Sequence, residues 1–235
     1  MKAIILNSGM GTRLGNLTKE NPKSLVSIGE DETIFSNAIS ILSQFDIDEF
    51  ILTTGYLADV LKDYALNKFP NVNFTFVHNP VYDKTNYIKS LDYISDINDD
   101  VILLHGDLVF TFETAKKVIG SEFSSIVVDT TIPIPKDDFK AKLDNNLIKY
   151  IGVDYFEEDA VSCQAFYKMK KSFWQNWKKK INEFCLNGAT DVYAENALNV
   201  LLDDMDLNAL DLKGSLCMEV DTVEDLEIAK ELIKI

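Results

Sequence analysis

Four times within the first 130 residues a short apolar run gives way to a segment with helical spacing, and that alternation restricts the chain to an α/β architecture. The runs Lys2–Leu6, Glu49–Thr53, Asn73–His78, Val101–His105 and Ser125–Asp129 are bounded by polar or turn residues, which predicts strands of a mostly parallel sheet. Between them, Ile34, Ala38, Ile41, Leu42 and Phe45 share one helical face, as do Val60, Leu61, Tyr64 and Ala65. Ile88, Leu91 and Ile94–Ile97 begin a third such segment and Thr114–Ile119 a shorter one. Right-handed crossovers between such units build a doubly wound, Rossmann-like sheet. After about residue 130 the pattern changes. Lys140–Asp144, Leu147–Val153 and Val161–Tyr167 read as antiparallel strands, with Asn145-Asn146 as a hairpin turn. Helices are predicted over Lys170–Phe184, Asp191–Leu202 and Val223–Ile233, the last opened by Thr222 and Asp225 at capping-box spacing. One continuous fold over residues 1–235 is the expectation.

Composition narrows what such a fold can bind. An apolar fraction of 46% suits a globular chain, and five prolines with ten glycines leave no linker or low-complexity stretch. The opening run Ala3-Ile4-Ile5-Leu6 is too short for a signal peptide or a membrane span. Cys163, Cys185 and Cys217 are odd in number and far apart, which predicts reduced thiols, a cytoplasmic location and no zinc site. A net charge of −15 argues against nucleic acid and anionic membrane as partners. The charge is uneven, however. Residues 1–25 hold Lys2, Arg13, Lys19 and Lys23 against Glu20 alone, a local +3, so the remainder carries −18. A cationic start on an acidic chain suggests a small anionic ligand there. Arg13 is also the sole arginine, against 22 lysines. A guanidinium grips phosphate oxygens as a planar fork whereas an ammonium is a point charge, so its place in a glycine-rich turn suggests a geometric need.

That turn, Leu6-Asn7-Ser8-Gly9-Met10-Gly11-Thr12-Arg13-Leu14, directly follows the first predicted strand. Glycines at the carboxyl end of a parallel strand let backbone N–H groups approach phosphates. The turn is not a dinucleotide fingerprint, because Leu14 stands where the third glycine would be, and it lacks the Gly-Lys-Ser/Thr of a Walker loop. Leu17-Thr18 and Asn21-Pro22-Lys23-Ser24-Leu25 follow. Pro22 fixes the backbone and removes an N–H just ahead of Lys23. Two further segments place carboxylates at strand ends, Val101-Ile102-Leu103-Leu104-His105-Gly106-Asp107 and Cys217-Met218-Glu219-Val220-Asp221-Thr222. A lone aspartate there is often a helix cap, but Thr222 already fills that role beside Asp221.

With Gly-x-Gly-Thr-Arg-Leu, Leu-Thr and Pro-Lys all in place, the chain resembles the nucleotidyltransferase superfamily that activates sugar phosphates and phosphocholine. The resemblance is specific in residues 1–30, 79–91, 101–107 and 217–229 and general in pattern elsewhere. It implies that residues 1–130 form a nucleotide-binding half and 131–235 a substrate-binding and closing half. It further implies that Leu6, Asn7, Ser8, Gly9, Gly11, Thr12 and Gly106 surround the nucleotide, that Arg13 contacts the triphosphate, and that Lys23 bridges the reacting phosphates. Asp107 and Asp221 are implied ligands of Mg²⁺, a hard cation suited to carboxylates and phosphates. Tyr87 and Ser90, in the stretch beside the base in relatives, are candidates for base recognition.

Pro22-Lys23-Ser24-Leu25 and Ile28-Gly29-Glu30-Asp31-Glu32-Thr33-Ile34 depart from the Pro-Lys-Pro and Gly-Lys-Pro-Leu of many sugar-1-phosphate enzymes. They look like the shorter cytidylyltransferases that act on CTP and phosphocholine or related small phosphorylated amines, those of capsular phosphoramidate synthesis being nearest in overall similarity. A choline site needs an aromatic box, for which Tyr150, Tyr155, Phe156, Trp174 and Trp177 are available, although such spacing equally describes a core. A sugar phosphate is the runner-up substrate. A glycosyltransferase would want Asp-x-Asp where the chain has His105-Gly106-Asp107, and a non-catalytic nucleotide sensor stays open. His105 reads as a buried, satisfied strand histidine and His78 as a packing residue at a strand end. Nothing in the sequence decides the oligomeric state, and a homo-oligomer stays open.

Overall fold

The computed structural model describes residues 1–233. In chain order the elements are β1 (Lys2–Asn7), α1 (Ile34–Leu42), β2 (Glu49–Thr54), α2 (Ala58–Lys68), β3 (Phe74–His78), α3 (Tyr87–Asp92) and β4 (Val101–His105). There follow β5 (Leu108–Phe110), α4 (Phe112–Ile119), β6 (Ser125–Asp129), β7 (Lys140–Asp144), β8 (Leu147–Gly152), β9 (Ala160–Met169), α5 (Lys171–Leu186) and α6 (Ala194–Asn199). β10 (Asn208–Asp211), β11 (Cys217–Glu219) and α7 (Val223–Ile233) complete the described chain. Two short 3-10 segments, Thr12–Thr18 and Lys23–Leu25, carry the loop after β1.

The predicted strands form, within one or two residues of their expected ends, and join a nine-stranded sheet in the order β3-β2-β1-β4-β9-β6-β10-β8-β7. β3, β2, β1 and β4 pair in parallel, as does β6 with β10, whereas β9 is antiparallel to both β4 and β6. Seven strands therefore point one way, and β8 and β9 the other. The expectation that Ser125–Asp129 continues the parallel sheet holds for its direction. Its neighbour is β9 instead of β4, because a strand from the second half enters between them. β7 also pairs with β9, so β6, β9, β7, β8 and β10 close on themselves as a ring of five strands. Asn145 takes the left-handed φ of 56° that the predicted hairpin turn requires.

Alternation along the strands divides the core. Ile4 and Leu103 join the cluster under α3, α5 and α6, while Ala3, Ile5, Ile102 and Leu104 join the one under α1, α2 and α4. Trp174 and Trp177 are fully buried in the first cluster, with Trp177 5.3 Å from the Tyr167 ring, so they are core and do not form an aromatic box. Phe156, by contrast, is exposed. The expected helix over Asp191–Leu202 shortens to α6, and α3 ends at Asp92, with Ile94 and Ile97 buried beyond its end. A third, smaller cluster bears directly on function. Leu14, Val26, Ile28, Ile34, Val109, Val220, Leu226 and Ala229 pack together, tying the loop after β1 to β5, β11 and α7. Leu14 is thus a core anchor at the position where a dinucleotide fold would carry glycine.

Candidate active site

The carboxyl ends of β1 and β4 open into a cavity of about 600 Å³, a size suited to a nucleotide and a small second ligand. Leu6, Asn7, Ser8, Gly9, Gly11, Thr12, Arg13, Lys23, Tyr87, Ser90, Gly106, Asp107 and Asp221 all line it. Every residue put forward for the nucleotide, the phosphates or the metal is therefore brought to one place.

Two glycines are required by geometry. Gly11 has φ 62°, and a Cβ there would stand 2.8 Å from Cβ of Lys23, so the loop lies against the lysine stem. At Gly106 a Cβ would fall 2.1 Å from Asn7 Oδ1 and 2.6 Å from the Leu6 carbonyl. The Gly106 N–H in turn donates to Leu6 O at 3.0 Å, drawing the turn after β4 onto the end of β1. Pro22, at ψ 149°, leads into the 3-10 turn that begins at Lys23 and helps direct its side chain inward. The Lys23 side chain is only 14% exposed.

Asp107 and Asp221 lie 114 positions apart in the chain and meet through a device the sequence reading missed. β5 and β11 form a two-stranded antiparallel sheet that pairs Leu108 with Glu219, and Val220 N donates to Asp107 O at 3.0 Å. Both strands are three residues long, too short to show a period of two. Asp221 is free of capping duty, as expected. The box is closed by Asp225 N donating to Thr222 Oγ1 at 3.2 Å and by Asp225 Oδ2 accepting from Thr222 N at 2.7 Å.

Lys23 Nζ donates to Asp107 Oδ2 at 2.6 Å and also contacts Asp221 Oδ1. Arg13 reaches Asp221 Oδ2 at 2.7 Å. Burial works against the Lys23 charge, but the two carboxylates outweigh it and push its pKa well up. Burial likewise disfavours ionised Asp107, and Lys23 nevertheless holds its carboxyl below the usual range. Asp107 Oδ1 is buried and has no hydrogen-bond partner among the described residues. Carboxylate oxygens of Asp138, Glu219 and Asp221 lie within 4.8 Å of one another. An orphaned buried carboxylate oxygen beside further hard oxygen donors fits a divalent cation such as Mg²⁺.

His105 differs from its sequence reading. Its Nδ1 is 3.4 Å from Glu219 Oε1, but Nε2 is buried without a partner and the ring lines the cavity, so it is a wall residue and not a satisfied core histidine. Burial alone would lower its pKa, yet Glu219 pushes it up to about 9. His78 ends β3 in an exposed position. Ser90 lines the cavity but its hydroxyl is engaged, donating to Ser8 Oγ at 3.0 Å and accepting from Asn79 Nδ2 at 3.0 Å. It buttresses the loop from α3. The Tyr87 hydroxyl donates to buried Glu195, which also accepts from Tyr167 at 2.7 Å, and the Tyr87 ring stands edge-on to His105 at 4.8 Å.

Asn79, Asp191, Glu195 and Glu219 went unrecognised in the sequence. Only Glu219 carried a signal, since Glu219 and Asp221 repeat the two-residue spacing of His105 and Asp107 and so share a face of extended backbone. Glu195 sits in a six-residue helix whose pattern says nothing of its partners.

A loop that suits phosphates, facing a lysine and two carboxylates at the carboxyl edge of such a sheet, defines a nucleotidyltransferase. The family model described as Nucleotidyl transferase matches residues 2–134, more than half of the chain, and the chain belongs to that family. It is 29% identical to the CTP:phosphoglutamine cytidylyltransferase of Campylobacter jejuni, the alignment covering 98% of this chain and 100% of that one. It is 24% identical to the choline-phosphate cytidylyltransferase of Streptococcus pneumoniae over 100% of this chain and 99% of that one. Among solved structures, the inositol-1-phosphate CTP transferase of T. maritima superposes with a TM-score of 0.79 at 21% identity, covering 99% of this chain and 94% of that one. The chain is thus a nucleotidyltransferase with the fold of that family.

Proposed function

We propose that the protein is a Mg²⁺-dependent cytidylyltransferase that transfers CMP from CTP to a small phosphorylated acceptor and releases pyrophosphate. The observation that carries this reading is the contact of Lys23 with both Asp107 and Asp221 in a cavity lined by the whole glycine turn. CTP as donor is supported by the full-length relatives, which are cytidylyltransferases. The best candidate acceptor is L-glutamine phosphate, giving a CDP-activated product for capsular phosphoramidate synthesis, on the strength of the Campylobacter relative. Phosphocholine comes next, and burial of Trp174 and Trp177 removes the two tryptophans from any choline box. A sugar 1-phosphate is third. A cytoplasmic location is in keeping with the three free cysteines, and no helix among the described residues is long and apolar enough to cross a membrane. Both halves act as a single domain, since β9 and β10 of the second half flank β6 of the first.

The chemistry needs no general base. A phosphate-type oxygen on the acceptor is already anionic at neutral pH. It attacks the α-phosphorus in line, the bond to the bridging oxygen of the β-phosphate breaks, and pyrophosphate departs with that electron pair. Backbone groups of the Gly9–Gly11 turn hold the triphosphate. Arg13 grips its oxygens and Lys23 neutralises the charge between donor and acceptor phosphates. Mg²⁺ held by Asp107 and Asp221 would supply charge neutralisation and orientation of the triphosphate.

Pyrophosphate release from a panel of CTP and UTP against glutamine phosphate, phosphocholine and glucose 1-phosphate tests the reading. CTP with a phosphorylated amine is expected to be the most active pair. Preference for the sugar phosphate would move the enzyme to that substrate class. Absence of pyrophosphate from every pair would overturn the reading in favour of a glycosyltransferase or a sensor.

Arg13→Lys separates fork geometry from charge. The variant is expected to lower kcat/KM for CTP by roughly tenfold or more, the scale of one lost charge-assisted hydrogen bond. Steady-state kinetics indistinguishable from the parent enzyme would show that charge alone matters at this position.

A further inference from the structure

The carboxylates that would hold a divalent cation are already neutralised by the chain itself. Asp221 has both oxygens engaged, Oδ1 with Lys23 and Oδ2 with Arg13 at 2.7 Å. Asp107 gives Oδ2 to the same ammonium at 2.6 Å. Lys23 and a metal ion bound between Asp107 and Asp221 would share one position, and two cations cannot share it without mutual repulsion. The stem of Lys23 lies against Gly11 in the turn that faces the triphosphate, so the lysine is within reach of both the carboxylates and the bound anion. Arg13 is placed in the same way and, with its side chain 57% exposed, is the easier of the two to draw away.

We propose that Lys23 competes with the divalent cation for Asp107 and Asp221, and that the triphosphate gates metal entry by drawing Lys23 and Arg13 onto its own oxygens. This rests on the functional reading above and adds an order to it. The nucleotide, alone or already carrying its metal, unlocks the carboxylates, and by reciprocity metal and nucleotide each raise the other's affinity. A lysine that merely supported the metal site would act in the opposite sense. Its removal would weaken metal binding, or leave it unchanged.

The signs differ, so a binding measurement without nucleotide or turnover decides. Mn²⁺ is titrated into the full chain and its binding followed by calorimetry and by loss of the free-ion electron paramagnetic resonance signal. Lys23→Gln, which keeps much of the side-chain length and loses the charge, is expected to bind Mn²⁺ roughly tenfold or more tightly than the parent protein. That is a conservative scale for losing one contacting charge at a partly buried site. Lys84→Gln is the control for general electrostatics. Lys84 lines the same cavity and makes no ion pair among the described residues, and its effect is expected to stay within about threefold. Equal or weaker Mn²⁺ binding by natively melting Lys23→Gln, or an equal gain in Lys84→Gln, would overturn the competition. If Lys23→Gln does not fold, acetic anhydride labelling of the parent chain decides instead. Mn²⁺ should speed acetylation of Lys23, and protection or no change counts against the proposal. Failure of the pyrophosphate panel would sink the assigned reaction and leave this outcome readable, because neither titration nor labelling depends on turnover.

Discussion

Lys23→Ala is expected to cut turnover by two or more orders of magnitude while CTP affinity, measured by calorimetry without acceptor, falls far less. The magnitude is that of losing one preorganised donor at developing charge. Its asymmetry has a physical origin. Repulsion between the α-phosphate and the acceptor phosphate is greatest as the two approach, so an ammonium between them contributes most along the path to the transition state. In the ground state Lys23 has an alternative, because Asp107 and Asp221 bind it in the structure. Moving it onto the nucleotide therefore exchanges one set of ion pairs for another, and the net contribution to binding is small. Equal losses in CTP affinity and in turnover would reduce Lys23 to a nucleotide anchor and remove its bridging role.

The second large effect concerns the carboxylates. Asp107→Asn and Asp221→Asn are each expected to lower kcat by roughly a hundredfold or more at saturating Mg²⁺ with the fold preserved. Asparagine keeps the shape and one oxygen but removes the charge that makes a carboxylate a ligand for a hard dication. The two positions are not equivalent in the structure. Asp107 has a buried, unpartnered oxygen, while both oxygens of Asp221 are engaged by Lys23 and Arg13. Either substitution leaves Lys23 with one anionic partner, so thermal melting should show a folded protein in both cases. Near-normal turnover in either variant would take that residue out of the metal site.

Much of this site is legible in the sequence. The glycine turn after β1, the proline ahead of Lys23, and an aspartate just beyond a strand are local statements, written in residues within a few positions of one another. Each expected lining residue is found in the cavity. The capping box at Thr222 was equally local, and it correctly released Asp221 for other work. His105 was misjudged because a strand pattern reports burial and not whether a buried nitrogen finds a partner. The aromatic residues were ambiguous for a similar reason. Spacing cannot tell a ligand box from a core; complete burial, with Trp177 against Tyr167 and Trp174 edge-on to Trp177, decided for both tryptophans.

The sequence by itself determined all strands but the short β5, β10 and β11, the direction of most of them and the chemistry at their ends, because periodicity, turn residues and caps act over two to four positions. Only the tertiary structure decided which strand ends meet. β9 enters between β4 and β6, and three-residue β5 and β11 pair across more than a hundred positions to set Asp107 beside Asp221. Lys140 makes the same point away from the site. It is fully buried, with its ammonium held by the carbonyls of Lys136 at 2.8 Å and Val153 at 2.6 Å, where its sequence neighbourhood reads as an ordinary strand start. Such contacts depend on which apolar faces cover one another and on which buried polar groups must then be satisfied. Both are properties of the assembled chain, and no short window of sequence contains them.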